Sequence, residues 1–243
     1  MCTAIISDIH GNLEALDAVY RAATERGVDS WICLGDIVGY GADPQSCLRR
    51  IRSTTDEILL GNHDAAATGL TGTEGFNPYA REAVQWTAAQ LSPAERKFLT
   101  SLPLQLERDG ALMVHAEPED PAAWQYVFST LEAGQALAAT AARICFVGHT
   151  HCPLACVQAG AAVRSIDPFR SSIEVEDRCR YLFNVGSVGQ PRDGDPRACY
   201  AVWAADGQTV EYHRVDYDVE TAKRKILAAD LPQFLADRLD SGR

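Results

Sequence analysis

The sequence of 243 residues predicts an α/β fold. Up to about residue 64, short apolar, β-branched runs alternate with stretches of helical spacing. Those runs are almost continuously apolar, as strands are in a sheet covered on both faces. After Pro153 the texture changes to short strands and tight turns, which reads as an antiparallel second layer.

Taken in order, Thr3-Ala4-Ile5-Ile6 is the first strand. Leu13, Leu16, Ala18 and Val19 then recur with helical spacing, Asn12 is placed as an N-cap, and Gly27 closes the helix after about Arg26. Residues 30–34 form the second strand, delivering Gly35-Asp36. A Gly39-Tyr40-Gly41-Ala42 loop follows, and Asp43-Pro44 opens a short helix ending near Arg52. Residues 57–60 read as the third strand, delivering Gly61-Asn62-His63-Asp64. Residues 65–75, small and Gly/Thr-rich, read as a mobile loop. Asn77-Pro78 starts a helix to about Leu91, and Ser92-Pro93-Ala94-Glu95 starts another to about Ser101. Residues 104–106 and 111–114 are two strands around the Asp109-Gly110 turn, the second delivering His115. Residues 116–130 are irregular, and 131–142 form an Ala-rich helix. The strand at 144–147 delivers Gly148-His149-Thr150-His151. The late strands are 154–157, 181–185, 199–204 and 210–215, the last two joined through Asp206-Gly207. Residues 219–239 close the chain as helix, broken near Pro232. No repeat, low-complexity tract or linker interrupts this order, so one domain over 1–243 is expected.

A hydrophobic content of 47% with 23% charged residues excludes a disordered chain. The net charge of −11 argues against long nucleic acid or an anionic membrane as partner. It leaves phosphate substrates open, because bound divalent cations reverse a local field. The 8 Cys are scattered without a Cys-x-x-Cys pair, which suits buried free thiols in a reducing cytoplasm. Met1-Cys2-Thr3 lacks a basic leader, and no apolar run approaches the ~20 residues of a membrane span. A cytoplasmic protein is expected.

Five segments end a strand with metal-competent side chains: Asp8/His10, Asp36, Asn62/His63/Asp64, His115 and His149/His151. Strand ends in such a sheet face one crevice, so these groups can converge. Gly35, Gly61 and Gly148 precede the key residues and permit a sharp exit from the strand. Oxygen and imidazole donors without thiolate suit Mn²⁺, Fe or Zn²⁺. A single Asp-x-His is common by chance, but the ordered set of five is specific and points to a two-metal phosphoesterase.

Asp-x-His, Gly-Asp, Gly-Asn-His-Asp, His and Gly-His-Thr-His, in that order and over nearly the whole chain, resemble the calcineurin-like metallophosphoesterase superfamily. Gly-Asp-Ile-Val-Gly-Tyr-Gly and Asn-Val-Gly-Ser-Val-Gly-Gln-Pro-Arg match its small bacterial and archaeal phosphodiesterase-like branch. The resemblance implies a four-layer αββα sandwich of two mixed sheets flanked by helices. It implies Asp8, His10, Asp36 and His151 around one metal, and Asp36 bridging to a second completed by Asn62, His115 and His149. The cofactors implied are two divalent ions, Mn²⁺ foremost, with Fe, Zn²⁺ and Ni²⁺ as alternatives. The reaction implied is in-line attack on a phosphomonoester or phosphodiester by a hydroxide bridging the metals. His63 is the expected general acid, with Asp64 holding its other ring nitrogen, or else Asp64 is a plain helix cap.

Two departures stand out. Gly39-Tyr40-Gly41 occupies the place where protein phosphatases and symmetrical dinucleoside tetraphosphate hydrolases carry an Arg, and His115 is followed by Ala116-Glu117 instead of Gly and a small residue. Residues 68–81 and 117–128 flank the motif turns and are expected to select a small phosphate-ester or nucleotide substrate. Tyr40, Phe76, Trp124 and Tyr126 are either base-stacking or core aromatics. Arg81, Arg192 and Arg197 are either phosphate contacts or surface residues. A dinucleoside polyphosphate hydrolase is the alternative enzyme, and a metal-free scaffold of the same fold the alternative of another class.

Overall fold

The computed structural model describes residues 1–206 and 208–243. Its strands are β1 (Cys2–Ile6), β2 (Ser30–Cys33), β3 (Gln105–Arg108), β4 (Ala111–Val114), β5 (Ile144–Val147), β6 (Leu154–Ala159), β7 (Ala162–Ile166), β8 (Ile173–Glu174), β9 (Arg180–Asn184), β10 (Ala198–Ala204) and β11 (Thr209–Val215). Its α-helices are α1 (Leu13–Glu25), α2 (Pro44–Thr54), α3 (Asn62–Thr68), α4 (Pro78–Gln90), α5 (Pro93–Thr100), α6 (Thr130–Ala138), α7 (Val219–Ala228) and α8 (Gln233–Asp237). One sheet runs β2-β1-β10-β11-β8 and the other β3-β4-β5-β9-β6-β7. Both are mixed: β1 is parallel to β2 and antiparallel to β10, and β9 is parallel to β5 and antiparallel to β6.

Alternation within each strand divides its apolar residues between two layers. Ile5, Ile32, Met113, Phe146, Phe183, Ala201 and Trp203 point between the sheets into one apolar core. Their neighbours Ala4, Ile6, Cys33 and Tyr200 face outward against α1 and α2. On the far side Leu112, Val114, Cys145, Val147 and Leu182 pack on Ala133, Ala136 and Leu137 of α6. The result is the αββα sandwich. A fourth cluster joins Ala80 and Ala83 of α4 to Ile226, Leu235 and Leu239 at the C-terminus, with Tyr40 among them.

The late strands do not form a layer of their own. β6, β7 and β9 extend the sheet of β5, while β8, β10 and β11 extend that of β1. Each sheet thereby acquires antiparallel partners, and only long-range pairing decides which. Residues 57–60 are not a strand: Ile58 bridges Cys33, and then Leu60 donates to the Pro103 carbonyl at 2.9 Å, so the chain leaves the sheet after one pair. The segment expected as a loop from residue 65 begins helical, as part of α3, which Gly69 ends with φ 81°. The helix expected to run to 142 ends at Ala138, β7 and β8 add strands, and Gly207 of the expected Asp206-Gly207 turn lies outside the described residues. All eight cysteines are free, five of them buried. No helix, among the described residues, is long and apolar enough to cross a membrane.

Candidate metal centre

β1 ends at Ile6, and the chain then buries Ser7, Asp8 and His10 completely or nearly so. Among the described residues ten non-glycine positions have positive φ, and Asp8, His10, Asp36, Tyr40, His149 and His151 are six of them, at 47° to 66°. Each left-handed residue of this kind costs about 1–3 kcal/mol. Such strain gathered at one place marks a site whose surroundings over-determine it.

The loops are locked to one another through backbone. Asp8 N–H donates to the Gly35 carbonyl, His10 N–H to the Asp36 carbonyl and Gly11 N–H to the Ile37 carbonyl, at 3.1, 2.9 and 2.9 Å. Gly61 passes so near Asp36 that a Cβ there would strike the Asp36 carboxylate and backbone, and a Cβ on Gly189 would strike the Ile9 carbonyl. A glycine is required at both.

Each of the two central carboxylates has one oxygen anchored and the other bare. Asp8 Oδ2 accepts the His149 backbone N–H at 3.0 Å, and Asp36 Oδ1 accepts the His63 backbone N–H at 2.8 Å. Asp8 Oδ1 and Asp36 Oδ2 are buried without a hydrogen-bond partner. Imidazole nitrogens surround them: His151 Nε2 lies 3.4 Å from Asp8 Oδ1, while His10 Nε2 and His115 Nε2 lie 3.6 and 3.5 Å from Asp36 Oδ2.

The imidazoles are oriented from behind. His10 Nδ1, His115 Nδ1 and His151 Nδ1 face the carbonyls of Val38, Leu34 and Gln190 at 3.2, 3.0 and 2.6 Å, and His149 Nε2 faces that of Trp124 at 2.9 Å. A ring N–H donated to a carbonyl leaves the opposite nitrogen as a lone pair, the tautomer a metal ligand needs. Asn62 Oδ1 lies 3.2 Å from His115 Nε2, and His10 Nε2 lies 3.0 Å from His151 Nε2. Donor atoms within 4.8 Å of one another fall into three overlapping groups: Asp8, His10 and His151; Asp36, His115 and His149; and His10, Asp36 and His63. Buried carboxylate oxygens without partners, set among ring nitrogens, are expensive unless a cation joins them. The donor set fits divalent ions.

Electrostatics agree. Burial, with the neighbouring Asp36, raises the Asp8 carboxyl above its usual range. Burial acts on Asp36 in the same sense, but the imidazoles of His115, His63 and His10 outweigh it and hold that carboxyl low. Burial lowers His10 and His151 well below normal and His149 to about 3. Burial opposes the charge on His115 too, yet Asp36 and Asp8 raise it to about 9. Lone pairs are thus available at His10, His149 and His151, while without an ion a proton on His115 offsets the carboxylates.

Asp64 requires a correction. Its Oδ1 accepts the Val38 N–H at 3.0 Å, and its Oδ2 accepts the Ile37 and Gly61 N–H groups at 3.3 and 3.2 Å. It does not hold His63, whose Nδ1 is buried without a partner. Three backbone donors from two turns satisfy this carboxylate better than one imidazole, so it fastens the Asp36 loop to α3. His63 packs instead between Tyr40 and Phe76, at ring separations of 4.5 and 4.7 Å.

The sequence marked 184–192 as a family match and Arg192 as a candidate phosphate contact, but gave no role to Asn184, Ser187 or Gln190. Asn184 Nδ2 donates to the Gly148 carbonyl and Thr150 Oγ1, Ser187 Oγ donates to the Asp8 carbonyl, and the Gln190 carbonyl orients His151. The signal was the polar, glycine-rich run directly after β9.

A cavity of about 370 Å³ opens above the candidate ligands. Residues 71–80 and 122–126 supply most of its lining, with Phe76, Trp124 and Tyr126 among them, as expected for the selecting segments. Tyr126 stacks on His149 at 4.1 Å. Of the three candidate arginines only Arg192 lines it. Arg81 reaches the Phe76 carbonyl on the exposed side of α4, and Arg197 pairs with Asp195 at 2.6 Å.

Comparisons with known proteins bear on this arrangement. A metallophosphoesterase structure from Sphaerobacter thermophilus is 39% identical, with a TM-score of 0.89 over 100% of this chain and 99% of that one. An uncharacterised protein of Methanocaldococcus jannaschii is 38% identical over 99% of this chain and 98% of its own length. The symmetrical bis(5'-nucleosyl)-tetraphosphatase of Psychromonas ingrahamii is 37% identical over 67 residues, 26% of this chain and 24% of that protein. The model of the calcineurin-like phosphoesterase superfamily domain matches residues 1–208, a span holding every ligand candidate, and the chain belongs to that superfamily.

Proposed function

We propose that the chain is a metal-dependent hydrolase of small phosphomonoesters or phosphodiesters, working as one domain in the cytoplasm with two divalent cations, manganese foremost. The observation that carries this is the pair of buried, unpartnered oxygens on Asp8 and Asp36, set among imidazole nitrogens whose far sides are held by carbonyls. Asp8, His10, Asp36 and His151 would hold one cation, and Asp36, Asn62, His115 and His149 the other. Bound there, the cations supply Lewis acidity and an activated water.

The chain's own groups then orient and protonate. Asp8 and Asp36 keep their geometry because backbone N–H groups fix one oxygen of each. His63, on the cavity lining, gives a proton to the leaving alkoxide. Burial lowers its pKa to about 4, with Asp36 pulling the other way and Arg192 adding to the lowering. An entering phosphate brings negative charge beside the ring and raises that pKa, so the ring takes a proton from solvent as the substrate binds and holds it for the leaving group. His63→Ala should lower kcat about 10²–10⁴-fold with metal content unchanged. Unaltered turnover would remove His63 from the reaction.

A Mn²⁺-supplemented screen of aryl phosphate monoesters and diesters, nucleotides and dinucleoside tetraphosphates, run alongside metal analysis, tests the whole reading. Protein that takes up no metal and cleaves none of them overturns it. The local match to the tetraphosphatase and the aromatic lining of the cavity favour dinucleoside polyphosphates as the second reading.

A further inference from the structure

Arg192 is the one charged side chain among the described residues lining the cavity whose charge is permanent. A guanidinium beside a catalytic cleft is ordinarily neutralised by a carboxylate, and none forms an ion pair with it among the described residues. The acid next to it in sequence, Asp193, turns away to Arg214. What Arg192 has instead is a rigid mount. Its backbone N–H donates to the His151 carbonyl at 3.2 Å, one terminal nitrogen donates to Gln190 Oε1 at 2.8 Å, and its guanidinium carbon lies 5.5 Å from the Tyr40 ring centre. Its Nε is buried with no partner.

The mount ties this cation to the metal centre. Gln190 uses its side chain on Arg192 and its backbone carbonyl on His151. Tyr40, under the guanidinium, also touches His63 and His10, at ring separations of 4.5 and 4.6 Å. Keeping an unpaired cation beside a cluster meant for further cations is unfavourable in the free protein. It becomes favourable when a multiply charged anion spans both, and a planar guanidinium offers paired donors to two phosphoryl oxygens.

We propose that Arg192 binds the phosphoryl group of the substrate, gripping oxygens on the side away from the metal ligands. This rests on the phosphoesterase reading and adds to it a residue that sets affinity for the anion. Arg192 touches substrate; Gln190 and Tyr40 are positioning residues that hold it.

The experiment compares wild type, R192Q and R192K, each loaded with Mn²⁺, by metal content, by steady-state kinetics on an aryl phosphodiester and by competitive inhibition with inorganic phosphate. R192Q should keep its metal, lower kcat/KM by about 10²-fold, the loss typical of one charge-stabilising donor, and weaken phosphate inhibition at least tenfold. R192K should recover part of the phosphate affinity, because it restores charge without the fork. A purely structural Arg192 would give R192Q reduced metal content or lowered thermal stability with phosphate inhibition unchanged, which overturns the proposal. So does an R192Q variant within twofold of an active wild type. An inactive, metal-free wild type overturns the phosphoesterase reading and this proposal with it.

Discussion

The core between the two sheets and the rim just beyond the strand ends are neighbours built on opposite rules. In the core, side chains alternate strictly, Phe146 and Phe183 stack at 5.4 Å, and both are fully buried. A few residues beyond the ends of β1, β2 and β5, non-glycine residues sit at positive φ, and after β1 and β2 carboxylate oxygens lie buried without partners. The core contributes free energy and the rim consumes it, as happens where function constrains sequence. Stability and chemistry should therefore be separable by mutation.

The sharpest way to break that comparison is Asp36→Ala, which removes the carboxylate shared by two donor groups. Turnover should fall to background, beyond the ~10²–10⁴-fold expected for losing a proton donor alone. Thermal unfolding of the metal-free variant should be no less stable than that of metal-free wild type. Substantial residual activity would show that Asp36 is not the common ligand.

Phe183→Ala is the converse. It should destabilise the protein by about 3–5 kcal/mol in chemical denaturation. Metal content per folded molecule should stay as in wild type, and a loss of metal would show that the two regions are not independent.

Asn184→Ala tests the seam, since Asn184 ends β9 and holds the loop of His149 and His151 through Gly148 and Thr150. Metal affinity should drop about 10–100-fold, read by competition with a chelator. The smallest effect is a proton count. The raised pKa of His115, about 9, means the metal-free protein holds a proton there at pH 7 that an ion must displace. Calorimetry in two buffers of different ionisation heat should show about one proton released. The same group lends the metal-free fold stability that is fully present below pH ~6.5 and is lost as pH rises through about 9, a loss the metal-loaded protein should not share.

The pattern of strand ends was legible because ligands must be of few chemical types, and Asp8, His10, Asp36, Asn62, His115, His149 and His151 do converge as their motifs imply. Sheet membership was not legible. Nothing local in 198–204 says that it pairs with β1 instead of β9; register with a strand nearly two hundred residues away decides it. β7 escaped notice because Ala-Val-Arg-Ser-Ile is half exposed at a sheet edge. Residues 57–60 looked like a strand because burial, not pairing, dictates their apolarity. Asp64 misled for a related reason: its partners Ile37 and Val38 lie 27 and 26 residues back, and backbone N–H groups leave no mark in a sequence.

The interlocking of Gly61 with Asp36 and of Gly189 with Ile9 limits how such a protein can diversify. Where main chain rests on main chain, no side chain of any kind can be admitted, so a new preference cannot arise by altering one of these turns alone. Variation is left to the mostly exposed segments at 71–80 and 122–126, which line the opening and meet His63 through Phe76 and the candidate ligands His115 and His149 through Trp124 and Tyr126. Descendants of this chain would be expected to inherit the reaction and to exchange the molecules it is performed on.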